Sequence, residues 1–217
     1  MSTLQAIADL ARPHSLAVFG AFHPGPDDSA PPGTGTLLLF GPAEPGFWPH
    51  LTSQPEWQDG DPDPIDRWSK RALGSIAADL GARAIFPSDG PPYAPFFRWA
   101  LSSGRAWASP VRLLVHDSAG LWVSYRGALA LGEKLELPDP PANPCDVCEA
   151  KPCLSACPAL ALTGAGYDLP GCHAWLDQEQ GDDCLSLGCA VRRACPVSQA
   201  YGRLPEQSAY HMRQFHR

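Results

Sequence analysis

No cysteine occurs in the first 144 residues of this chain, and eight crowd into its last third. Four fall in one run, Cys145, Cys148, Cys153 and Cys157, the last joined directly to Pro158. Cys172, Cys184 and Cys189 lead to a second cysteine-proline pair, Cys195-Pro196. Cysteines used only for packing scatter through a core, whereas ligands of a shared centre must lie close together. The segment that carries them also has few apolar runs long enough to build a core. Its stability must then come largely from whatever the thiols bind.

With 217 residues, the chain has room for one modest domain and a smaller metal-stabilised one. The stretch 138–144, Pro-Asp-Pro-Pro-Ala-Asn-Pro, is the natural boundary, giving a mixed α/β domain over 1–138 and a cysteine domain over 139–217. A net charge of −7 argues against nucleic acid, because a phosphate backbone is held by dense Lys and Arg. Residues 1–11 carry no basic segment ahead of an apolar run, and no stretch reaches the roughly 20 apolar residues of a membrane span. The expectation is a cytoplasmic protein with no membrane partner, in a compartment where thiols stay reduced.

Prolines and glycines cluster in 23–35, 41–64, 87–95 and 138–144, which read as loops between short elements. Leu4, Ile7, Ala8 and Ala11 share one helix face, with the start near Ser2 or Thr3 and Pro13 as the stop. Residues 15–22, 36–40 and 82–86 read as strands, the second apolar enough to be buried on both faces. Asp63-Pro64 opens the clearest helix, with Ile65, Trp68, Ala72, Ile76 and Leu80 stepping by three and four to Gly81. Residues 96–102 suit another helix, and 111–116 with 121–125 a hairpin about 117–120. The fold class expected is α+β.

A [4Fe-4S] cluster takes four thiolates, three from a CxxCxxC loop and one from elsewhere. In two-cluster bacterial ferredoxins the run is CxxCxxCxxxCP, and its last cysteine ligates the other cluster. Here the first run is widened by two residues between Cys148 and Cys153, and the second is also wide. The exchange rule gives Cys145, Cys148, Cys153 and Cys195 for one cluster and Cys157, Cys172, Cys184 and Cys189 for the other, consuming all eight. Two zinc sites would also use eight thiols, though zinc ribbons favour paired CxxC motifs and only one CxxC is present. A disulfide framework fits an oxidising compartment, and a thioredoxin-type CxxC would leave six cysteines without a task.

The order of the first cysteine-proline run, the segment Tyr167-Asp-Leu-Pro-Gly-Cys172-His-Ala-Trp175 and Cys195-Pro196 resembles the two-cluster ferredoxin-type module of epoxyqueuosine reductases and corrinoid-dependent reductive dehalogenases. That family's second run would place ligands at Gly188 and Val191, so Cys184 and Cys189 serve through a longer loop. Upstream, Asp89-Gly-Pro-Pro92, Gly104-Arg-Ala-Trp107, Leu113 to His116 and Gly120-Leu-Trp122 are similar to the family's passage from an acidic residue through a Gly-Trp motif, with Ser109-Pro110 in place of its Gly-Lys. The resemblance implies an N-terminal domain related to nitroreductases and cobalamin-processing proteins, with a corrinoid or flavin as small-molecule cofactor. It also implies Asp89 as a catalytic proton donor.

Three functional expectations result: an electron-transfer protein with two [4Fe-4S] clusters and a redox partner protein, a corrinoid- or flavin-dependent oxidoreductase, or a zinc-stabilised interaction module. Asp89 also suits a plain turn beside Gly90-Pro91. His116 and His173 suit structural hydrogen bonds, His173 with the added interest of adjoining Cys172. Arg192, Arg193, Arg203, Arg213 and Arg217 make a basic end that an acidic partner would fit. Trp48, Trp57, Trp68, Trp99, Trp107 and Trp122 suit core packing or a flat cofactor's pocket.

Overall fold

The computed structural model describes residues 3–216. Its fold is α+β, with ten α-helices and two small antiparallel sheets among the described residues. In chain order the elements are α1 (Leu4–Ala11), β1 (Leu16–Phe22), β2 (Thr36–Pro42), α2 (Phe47–Thr52), α3 (Pro55–Gln58), α4 (Pro64–Leu80), β3 (Arg83–Ile85), α5 (Phe96–Ser102), β4 (Ala106–Ala108), β5 (Leu114–His116) and β6 (Gly127–Leu131). Then come α6 (Leu169–Leu176), α7 (Asp182–Leu187), α8 (Ala190–Ala194), α9 (Pro196–Ala200) and α10 (Pro205–Phe215). No described helix is long and apolar enough to cross a membrane.

The chain forms two compact units. Among the described residues, the first takes 3–105 together with Ser124–Pro141, and the second takes Ala106–Val123 and 142–216. A single cut at 138 would therefore separate Ala106–Val123 from the cysteines it belongs with.

The first unit is a four-stranded sheet in the order β1-β2-β6-β3, antiparallel throughout. β2 is buried at every position, as its unbroken apolar run requires. β6 is also fully buried and pairs Leu38 with Leu129 and Ala130 with Leu37. Gly41 in β2 is needed because any side chain there would enter the ring of Phe19. α4 packs Leu73 and the sheet-facing side of its apolar stripe over β3 and β6, with Ile65, Trp68, Ala72, Ile76 and Ala77 also buried. The Thr3 hydroxyl caps α1 by accepting from Ala6 N at 3.1 Å.

Two sequence expectations fail here, and a third element starts as expected without a side-chain cap. Residues 121–125 do not pair as a strand: β5 pairs with β4, and only His116 and Gly120 bridge across the turn. Segment 41–64 is not all loop, because α2 and α3 fit within it, and Pro55 is tolerated in the first turn of α3 where no N–H is needed. Asp63 precedes α4 in a left-handed conformation, φ 52°, and its side chain caps no helical N–H.

The second unit has a small core made of Val111, Val115 and Leu121 from the β4–β5 segment with Leu162, Val191, Cys153 and Cys195. Leu162, Val191 and the buried cysteines of the later segment thus share a core with apolar side chains supplied from upstream in the chain.

Candidate metal centre

Two devices fix the β4–β5 segment against the cysteine segment. The Ser198 hydroxyl, buried in α9, accepts the Leu121 N–H at 2.8 Å. Gly120 turns the chain there with φ 56°, and a side chain at that position would strike the Ser198 backbone nitrogen. Arg192 in α8 then donates to the Leu121 carbonyl at 2.7 Å. Leu121 is thereby gripped through its N–H, its carbonyl and its side chain, which is 1% exposed.

Around this hub the cysteines fall into two groups. Cys145, Cys148, Cys153 and Cys195 line one cavity of about 230 Å³, whose remaining wall is mostly Pro, Val and Leu, including Val115 and Leu121. Burial, then the neighbouring Cys153, Cys195 and Cys148 thiols and the Asp146 carboxylate, push the Cys145 thiol up to about 11. Cys153 is raised by burial and by Cys195 and Cys148, against the opposing pull of the Cys153 and Leu154 N–H groups. Ser109 also lines this cavity, and its hydroxyl is buried with no hydrogen-bond partner among the described residues.

The second group is Cys157, Cys172, Cys184 and Cys189. Cys172 sits in α6, whose first turn is capped by the Asp168 carboxylate accepting from Gly171 N at 3.0 Å. Burial raises the Cys172 thiol, as do Cys189, Cys157 and Asp168, while the Tyr167 hydroxyl, donating to its Sγ at 3.5 Å, lowers it. Cys184 in α7 is raised by burial first, with the Ala190 N–H opposing and Cys189 adding to the rise. Leu162 N donates to Cys157 Sγ at 3.5 Å. Cys189 stands immediately before α8 and Cys195 immediately after it, so this five-residue helix links the two groups.

All eight cysteines are free thiols. Each group supplies four soft sulfur donors, the set that suits zinc or an iron-sulfur centre. Among the described residues no three His, Cys, Asp or Glu side chains meet as the ligands of a single ion.

The other candidates lie outside these two groups of thiols. Asp89 lies in the 86–89 turn of the first unit, about half exposed, with its carboxylate 2.7 Å from Lys70 Nζ. His116 is fully buried, and its Nδ1 accepts from Ser118 N at 3.2 Å and Ala119 N at 3.3 Å, holding the turn. His173 stacks on Phe215 and shares a 2.7 Å ring-nitrogen contact with His216, which in turn meets Asp177 at 3.0 Å. Arg193 pairs with Asp183, Arg203 lies over the Trp122 ring at 5.1 Å, and Arg217 lies outside the described residues. The tryptophans do not form one pocket: Trp68 and Trp99 are core of the first unit, where Trp48 meets Trp57 edge to face, and Trp107 and Trp122 belong to the second.

Tyr167 belongs to the segment the sequence singles out before Cys172, but its bond to the Cys172 sulfur does not show there, and Ser198 acquires its role only through a contact 77 residues away in the chain. Comparison with protein-family models, with curated proteins and with solved structures gave no match.

Proposed function

We propose that the second unit is a ferredoxin-type electron-transfer module holding two [4Fe-4S] clusters, one on Cys145, Cys148, Cys153 and Cys195 and the other on Cys157, Cys172, Cys184 and Cys189. The observation that carries this reading is the cavity with four thiols in an otherwise mostly apolar wall. Such a space offers water few partners, so hydration is a poor account of it. A polynuclear group fits it better, because its thiolates stand on separate irons and need not converge on one point as zinc ligands must.

Arg192 is half-buried and pairs with no carboxylate among the described residues, while Cys189 stands one helical turn before it. Negative charge on a thiolate-ligated centre would balance it.

When bound, the clusters supply reversible one-electron chemistry. The chain's own contribution is to hold eight sulfurs, to shield the first group with Val115, Leu121 and the prolines, and to aim N–H and O–H donors at sulfur. The exchange of electrons is with a redox partner protein.

Protein purified without oxygen is expected to be brown and to carry about eight irons and eight sulfides per chain. Tightly bound zinc without iron or sulfide would overturn the reading in favour of a structural zinc module. Titration of the same sample with hydroxocobalamin or a flavin tests the reductase alternative. A bound visible spectrum at micromolar concentration assigns an enzyme, and its absence leaves an electron carrier.

A further inference from the structure

The surroundings of the two cysteine groups differ in charge. Arg192 lies in α8, three residues after Cys189, which immediately precedes the helix, and Cys189 and Tyr167 are the charge-bearing groups nearest to it. Its guanidinium is tied to the Leu121 carbonyl at 2.7 Å, which fixes it in a half-buried position. Of the carboxylates near this group, Asp183 is engaged by Arg193, and Asp168 is exposed and occupied in capping α6. The Tyr167 hydroxyl adds a neutral donor at Cys172 Sγ, 3.5 Å away.

The first group has no such cation among the described residues. Asp146 adds negative charge beside Cys145, and Lys151 reaches only the rim of the cavity, exposed to solvent that screens it. Ser109, which lines the same cavity, carries no charge. A fixed full charge in a poorly solvated site outweighs a neutral donor.

Resting on the two-cluster reading above, we infer that Arg192 makes the Cys157, Cys172, Cys184 and Cys189 centre the more easily reduced of the two, so that electrons run from the Cys145 group to this one. A low-potential one-electron donor loses one electron and the pair gains it. That electron resides at the Arg192 side, and the first centre returns to its oxidised state after passing it on. No proton or bond is exchanged. Cys189 and Cys195, at the two ends of α8, mark the route between the centres.

The test is an anaerobic reductive titration with dithionite, monitored by EPR. The wild-type protein is expected to show two separate one-electron steps. In R192Q the step at higher potential moves down by at least tenfold in its reduction equilibrium, 59 mV for one electron, while the other step stays in place. R192K retains most of the wild-type separation, and Y167F moves the same step down by a smaller amount. The inference is overturned if R192Q or Y167F shifts the lower step instead, or if neither step responds to R192Q. Should R192Q bind less iron than wild type, R192K and Y167F decide by the same criterion. A preparation with no cluster signal at all refutes the iron-sulfur reading itself, a different result from two clusters that ignore Arg192.

Discussion

A few residues decide whether the second unit closes, and Leu121 is the centre of them. The Ser198 hydroxyl is the acceptor for its N–H, so S198A leaves a buried donor unpaired at a cost of about 1–3 kcal/mol. Hydrogen exchange at the Leu121 amide should quicken accordingly, and an unchanged rate would show that the bond contributes nothing. G120A should be worse. Its left-handed backbone alone costs an alanine about 1–3 kcal/mol, and the added methyl strikes Ser198. A G120A protein as stable as wild type in denaturant would contradict the packing described.

Among the elements, the ones with strong local signals are legible in the sequence. α4 announces itself through Pro64 at its first position, apolar residues at three- and four-residue steps and Gly81 at its end. β2 is readable from five apolar or β-branched residues in a row. β6 is not, because Gly-Ala-Leu-Ala-Leu buried on both sides has no alternation and Ala and Leu suit helices as well. The three-residue strands β4 and β5 are too short to show any period, so the sequence alone pairs β5 with the wrong partner. In the candidate site, cysteine spacing exposes the donors but not their setting, since Ser198 and Arg192 matter through contacts that only the folded chain makes.

α6 offers a test at this scale. It has eight residues, carries Cys172, and depends on Asp168 for its cap. D168A should cost about 1 kcal/mol of local stability. Anaerobic chelation should then strip one of the two centres faster than in wild type while sparing the other. Equal loss from both would place the cap outside the path that holds Cys172.

For the whole molecule, the interleaved connectivity matters most. The second unit takes in Ala106–Val123 from between two stretches of the first, so no single cut yields both units complete. A fragment ending at residue 141 would retain Val111, Val115 and Leu121, each 1% exposed in the full chain, without their covering residues. It should self-associate or bind a hydrophobic dye, whereas the full chain does not. A monomeric, dye-silent fragment would show that these residues find cover without the cysteine segment.

The same threading bears on biosynthesis. Leu121 leaves the ribosome well before Cys195, and at about 5–20 residues per second the interval between them is roughly 4–15 s. Throughout that interval a growing chain displays greasy side chains whose lid has yet to be translated. A cell making this protein must guard the nascent polypeptide, and iron delivery can complete the fold only near the end of translation.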